Sequence, residues 1–327
     1  MDEHRGMHGL STTVGDAGPE RENVPPHAIP ETLVRELSGG ALTPAQQATR
    51  DRVAATDWRT TALVLGDAAD EAFAARAIEL GAICGIGFGN FYAFVGHPAY
   101  GVVRYANASK GRPPEQVQSI VSVPEHFAEL IDPAALPPPL DADKALALID
   151  AFLAVAPFAF RCPAAAQVPS HLSAMDGAIR TTQLANPGAA CPSNAFYRRV
   201  FAESGLRFLF GTSANVSHLV THHAEEPAHW KIAGLQADFG DRPGYIFLRH
   251  ADEAAALARF PGVRPSSTSV IALHRVESDA EGRPALVLER WGNLDLPPMR
   301  EILARFGFGL IRAPTAQTRL PAHTYPA

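Results

Sequence analysis

The sequence predicts a mixed α/β fold, a twisted sheet covered by helices, and three observations carry that reading. Short apolar runs alternate with helical patterns from Trp58 almost to the end of the chain. The 327 residues are 46% apolar and 19% charged, a globular balance with apolar surface enough for a sizeable core. The Pro-rich segment DPAALPPPLD (132–141) reads as a loop inside this pattern rather than a boundary, and no internal repeat interrupts it.

The elements follow in order. Residues 1–30 are polar, rich in Gly and Pro and without periodicity, which predicts a disordered tail. Residues 31–58 predict a helical extension: ETLVREL, a Gly-Gly break, then PAQQATRDRVAATDW with Pro44 suited to a first turn. It is too short for a core of its own and is expected to pack on the main domain, 59–312. There DAADEAFAARAIEL reads as a helix, AICGIGF and NFYAFVG as extended runs, and Pro98 opens a helix reaching Ser109. QSIVSV is a strand, DKALALIDAFLAV a helix, PFAFRC and GAIRTTQL are extended, PSNAFYRRVFAES is helical and LRFLFGTS a strand. GYIFLR, ADEAAALARF and STSVIALHRV continue the alternation, and PALVLERW precedes a helix, PMREILARFG. Residues 313–327 form a C-terminal tail.

Bulk properties exclude several function classes. A net charge of −6 gives no global basic field for nucleic acid, so any anion site must be local. Cys84, Cys162 and Cys191 are odd in number and widely spaced, fitting neither a disulfide framework nor a CxxC metal site and favouring a reducing compartment. The first thirty residues lack the apolar core of a signal peptide, and no run of about 18 apolar residues occurs, so a cytoplasmic chain without a membrane span is expected. His218, His222, His223 and His229 match neither HExxH nor a Cys/His finger. With Glu225 and Glu226 they read as a solvated loop, and no structural metal is expected. The aromatic run GFGNFYAF reads as core or cavity wall in preference to an RNA-stacking platform.

Five small clusters could carry chemistry. Lys110-Gly111-Arg112-Pro113 puts an ammonium and a guanidinium on a short stiffened loop, which suits a polyanion; taken alone it reads as a solvated helix terminus. Gly211-Thr212-Ser213-Ala214-Asn215-Val216-Ser217 follows an apolar strand, where open α/β sheets place ligand contacts; taken alone it reads as a capping turn. Arg180 in AIRTTQL, Ser266-Ser267-Thr268, and Arg290-Trp291-Gly292 are individually unspecific.

In this order and spacing, KGRP at 110–113, the Arg in AIRTT, TSANVS at 212–217 and SST at 266–268 resemble the YrdC-like family, best known for threonylcarbamoyl-adenylate synthases. The resemblance runs from about Thr60 to Leu273, with Arg290 in a shorter trailing segment. It implies a YrdC-like twisted mixed sheet flanked by helices around a central ligand cavity. By resemblance, Lys110, Arg112 and Arg180 neutralise a triphosphate, Ser213 and Asn215 bind phosphate or ribose, Ser267 and Thr268 complete the wall, and Arg290 contacts phosphate. The implied reaction takes ATP with Mg2+, bicarbonate and an amine such as threonine to a carbamoyl-adenylate and pyrophosphate, as in tRNA modification. RNA is a further candidate partner by the same resemblance.

Departures from the family pattern concentrate at the acceptor end. Where the family has Pro-Thr-acid-Thr-x-Tyr-Gly-Leu, this chain reads Gly87-Phe88-Gly89-Asn90-Phe91-Tyr92-Ala93-Phe94, keeping Tyr92 with Asn90 as a polar stand-in. Where the family has Pro-Gly-Pro-x-Thr, Val155-Ala156-Pro157-Phe158-Ala159 keeps Pro157 and replaces the Thr by Ala159. The expectation is an acceptor pocket holding Asn90 and Tyr92 that is larger or more apolar around Phe88, Phe91 and Phe94. Two alternatives are a noncatalytic nucleotide- or double-stranded-RNA-binding protein and a carbamoyl-transfer role in a specialised small-molecule pathway.

Overall fold

Runs of β-branched and aromatic residues assemble into a twisted, mixed sheet of twelve strands in a computed structural model that describes residues 27–217 and 226–325. The tail expected at 1–30, as far as residue 26, and the His218, His222 and His223 expectation lie outside the described residues. The strands are β1 (Leu63–Val64), β2 (Ile83–Phe88), β3 (Phe91–Gly96), β4 (Ser119–Val121), β5 (Phe158–Pro163), β6 (Ala174–Asp176), β7 (Ile179–Asn186), β8 (Leu209–Ser213), β9 (Tyr245–Arg249), β10 (Val270–Ser278), β11 (Pro284–Arg290) and β12 (Gly309–Arg312). Their order is β1-β9-β2-β3-β8-β4-β7-β5-β10-β11-β12, with β6 attached to β7. Parallel pairs (β2 with β9, β4 with β7, β5 with β10) and antiparallel ones (β2 with β3, β3 with β8, β5 with β7) occur together, the mixed sheet the sequence predicts.

Helices cover the sheet: α1 (Glu31–Ser38), α2 (Pro44–Ala55), α3 (Ala68–Glu79), α4 (Tyr100–Ser109), α5 (Phe127–Leu130), α6 (Ala142–Leu153), α7 (Ser193–Ser204), α8 (Ile232–Phe239), α9 (Glu253–Ala258) and α10 (Leu296–Arg305). Their starts follow capping chemistry. Thr43 and Gln46 close a capping box ahead of Pro44, and the Asp67 and Asp141 carboxylates accept first-turn N–H groups of α3 and α6. The sequence reading missed α5, α8 and the short strands β1, β6 and β12. No described helix is long and apolar enough to cross a membrane.

The buried apolar residues form one core cluster. Phe152, Phe158 and Phe160 meet in tilted and edge-to-face contacts with centroids 4.4–5.9 Å apart and are fully buried, each worth roughly 1.5–3 kcal/mol of burial. Leu33, Val34, Val53 and Trp58 of the extension belong to the same core, and the Gln236 carboxamide on α8 donates to the Trp58 and Thr61 carbonyls. The C-terminal segment is tied down. Leu320 N–H donates to the Trp291 carbonyl, and the Tyr325 hydroxyl accepts the N–H groups of Trp230 and Lys231. Cys84, Cys162 and Cys191 are buried free thiols.

Candidate functional site

Residues of β3, β4, β5, β7 and β8, with the segments around Arg112, Ser267 and Arg290, line a cavity of about 410 Å³. Its wall gathers Arg112, Ser213, Ser267, Thr268 and Arg290, residues that the sequence assigned to nucleotide binding.

The Lys110 loop is set by the end of α4. Gly111 takes a left-handed conformation (φ 72°), which stops the helix and turns Arg112 toward the sheet; Arg112 N–H then returns to the Asn107 carbonyl at 2.8 Å. Buried Asn107 braces the loop by donating to the Pro114 and Gln116 carbonyls, while its Oδ1 accepts from Gln118. The Arg112 guanidinium reaches Thr212 Oγ1 at 2.8 Å. Lys110 lies beneath this wall and not among the lining residues. Its side chain is buried, and the ammonium donates to Thr212 Oγ1 at 3.1 Å and to the Ser213 carbonyl at 2.5 Å. The two cations the sequence grouped thus fix the same β8 terminus from two sides.

In the SAN segment, Ser213 lines the cavity and Asn215 does not. Asn215 is buried and structural: its amide donates to the Val216 and Glu226 carbonyls and its Oδ1 accepts the Ser213 hydroxyl. The opposite wall depends on Gly292, where a Cβ would sit 2.1 Å from the Ser267 carbonyl oxygen. That close approach lets Asn293 donate to the Ser267 and Pro157 carbonyls and accept from Ser269 N–H, holding the 267–269 segment. Arg290 is fixed to it through Nε to the Thr268 carbonyl (2.8 Å) and Nη2 to Thr268 Oγ1 (2.9 Å).

Arg180 departs from its assigned place. Its guanidinium donates to the carbonyls of Val168 (2.8 Å), Ala165 (2.6 Å) and Ala164 (3.3 Å) and to Ser173 Oγ (3.3 Å), so it anchors the segment leading into β6. The lining cation on this side is Arg161 of β5, which pairs directly opposite Gln183 of β7, another lining residue. The sequence reading missed Arg161, Gln183, Asn107 and Asn293. For Arg161 a signal existed, a lone guanidinium between Phe160 and Cys162 in an otherwise apolar strand.

At the acceptor end, strand alternation decides which residues face the cavity. Phe91 and Ala93 line it, so Tyr92 and Phe94 project to the other side of β3. Tyr92 is buried there, donating to Glu253 Oε1 at 2.8 Å; burial first, then the Glu253 charge, push its hydroxyl well above the ordinary tyrosine range. Phe94 packs on Phe239 and Tyr245. Asn90 sits in the β2–β3 turn and donates to the Val263 carbonyl. Asn90, Tyr92 and Phe94 are therefore removed from the expected pocket, and the Phe88–Phe91 pair, centroids 5.4 Å apart, remains as its apolar wall.

No family model matches this chain, and no curated protein matches it. Solved structures do. A double variant of Sua5 from P. abyssi aligns at 17% identity with a TM-score of 0.53, covering 76% of this chain and 63% of that one. Sua5 from the same organism, complexed with L-threonine, aligns at 17% identity with a TM-score of 0.53, covering 75% of this chain and 60% of that one. This is the YrdC-like fold of Sua5. The chain spans about three-fifths of the length of these Sua5 structures. The twisted mixed α/β architecture implied by the sequence resemblance is thus the one this chain adopts.

Proposed function

We propose that the cavity binds ATP with magnesium on its phosphates and uses it to form a carbamoyl-adenylate from bicarbonate and an amine acceptor. The observation that carries this reading is the convergence of Arg112, Ser213, Ser267, Thr268 and Arg290, from separate chain segments, on one cavity wall. Guanidinia and hydroxyls around a concave site suit a triphosphate, which needs charge neutralisation and hydrogen-bond donors at fixed positions. Bicarbonate loses water to give carbon dioxide, the neutral amine captures it as a carbamate with release of a proton, and a carbamate oxygen attacks the α-phosphorus. The bond from that phosphorus to its bridging oxygen breaks and pyrophosphate leaves. Positioning and electrostatics carry such a step, and it requires no strong protein base.

Sua5 from P. abyssi has been solved with L-threonine, which supports an amino-acid acceptor here. The apolar Phe88–Phe91 wall favours an acceptor with a larger or more apolar side chain than threonine. Purified protein supplied with ATP, Mg2+, bicarbonate and a panel of amino acids should release pyrophosphate, fastest with an apolar acceptor. Threonine as the best substrate would refute the altered acceptor end. ATP binding without pyrophosphate release for any acceptor would favour a noncatalytic nucleotide-binding protein.

A further inference from the structure

We propose that Arg161, held by Glu289, is the oxyanion-binding fork of this cavity, in the role that the sequence resemblance gives to Arg180. The inference deepens the nucleotide reading above and rests on it. Arg161 lines the cavity and binds Glu289 Oε2 through Nε at 2.6 Å. Its hydrogen bond and ion pair both run through Nε, and the two Nη groups make no hydrogen bond among the described residues. Anchoring a guanidinium by Nε fixes its plane and leaves the paired Nη donors for a carboxylate or phosphate. Arg180, by contrast, spends both Nη groups on carbonyls and a hydroxyl of its own scaffold.

Glu289 is itself held from behind. Its other oxygen lies 3.3 Å from Arg275 Nη2, and Arg275 Nη1 lies 3.6 Å from Asp176 Oδ2, which pairs with His274 Nε2 at 2.7 Å. The result is a row of alternating charges across β11, β10 and β6 whose cationic end is Arg161 at the cavity. Asp176, His274 and Glu289 also offer ligand atoms within 4.8 Å of one another. Both carboxylates are already engaged by guanidinia, so a metal ion would enter against two fixed positive charges. The row serves an anion in the cavity. Glu289 acts through Arg161 and is a positioning residue.

The oxyanion is either a phosphate of the nucleotide or the carboxylate of an amino-acid acceptor, and the test separates them. The full chain is titrated calorimetrically with inorganic tripolyphosphate, with ATP and Mg2+, and with L-threonine. R161Q should weaken at least one of these by about tenfold or more, and R161K should recover only part of it because an ammonium lacks the fork. E289A should weaken the same ligand and E289Q, which keeps an acceptor for Nε, should restore much of it. R180Q should leave affinity within about threefold while lowering the unfolding midpoint, as loss of a buried scaffold contact does. Loss for tripolyphosphate and ATP identifies phosphate as the oxyanion, and loss for threonine alone identifies the carboxylate; either supports the fork. Wild-type protein that binds tripolyphosphate in an Arg161-dependent way but not ATP would sink the nucleotide reading and leave the fork standing. R161Q and R161K, both folded by circular dichroism, with wild-type affinity for all three probes would overturn the fork, as would wild-type protein that binds none of them.

Discussion

Acidification should destabilise this protein through one buried histidine, His250, and the size of the effect follows from its surroundings. His250 directly follows β9, 3% exposed, with its ring against Gly87 and 5.7 Å from the Tyr92 ring. Its Nε2 is buried without a hydrogen-bond partner among the described residues. Burial, reinforced by the Arg259 charge, lowers its pKa from 6.5 to about 4. Above 6.5 both folded and unfolded chains carry the neutral ring. Between 6.5 and about 4 only the unfolded chain takes the proton, so stability falls as pH falls, and below about 4 the loss is complete. That interval, at about 1.4 kcal/mol per pH unit, amounts to roughly 3 kcal/mol. The assay is urea unfolding of wild type and His250→Gln from about pH 7 to about pH 4, reading the difference between the two at each pH. Any packing penalty in the variant is a constant offset, so the slope of the difference isolates the titration. A flat difference across the window would refute the assignment of a neutral buried ring.

Other outcomes follow from the site and the core. Arg112→Gln should weaken ATP binding by about 1.5–3 kcal/mol, roughly 10- to 150-fold in Kd, and also lower the unfolding midpoint through the lost Thr212 bond; calorimetry and thermal unfolding read the two separately. Gly292→Ala drives a Cβ onto backbone atoms of Ser267 and Thr268, which cannot swing aside. It should cost about 1–3 kcal/mol of stability and weaken ATP binding together, both measurable on one preparation. Phe91→Ala should enlarge the acceptor end and shift the ranking of amino acids in pyrophosphate release. Cys84, Cys162 and Cys191 are buried, and burial pushes each thiol up, so an aromatic disulfide reagent should label none until the chain is unfolded.

Much of the architecture was legible because its elements are long enough to show a period. The helix over 44–55 carries its own start signal in Thr43, Pro44 and Gln46, and the extended runs AICGIGF and NFYAFVG became the β2–β3 hairpin. β1, β6 and β12 have too few residues for alternation to register, and they exist because neighbouring strands offer them unpaired backbone. The site was legible as a set of segments but not atom by atom. KGRP and TSAN do meet, yet Lys110 and Asn215 face inward as braces while Arg112 and Ser213 face the cavity. Spacing alone cannot distinguish a residue that lines a wall from one that holds it up. Arg180 and Arg161 look alike in sequence, each one guanidinium in an extended run, and only the loop packed against β7 decides which is consumed. The period of two along β3 did hold the answer for Tyr92: once Phe91 faces the cavity, Tyr92 cannot.

The placement of β9 has a consequence for how the chain matures. β9 lies between β1 and β2 and pairs in parallel with both, although Leu63 meets Leu248 and Ile83 meets Tyr245 across about half of the sequence. Until residues 245–249 are synthesised, the earlier strands present open edges with nothing to close the gap between them. A nascent chain that already contains KGRP and TSAN therefore holds eight of the twelve strands with an exposed seam. Contacts of this sequence separation are slow to form and prone to intermolecular pairing while they wait. Fragments ending shortly after Ser217 should aggregate rather than fold, and the yield of soluble protein should depend on chaperone supply more than the native packing would suggest.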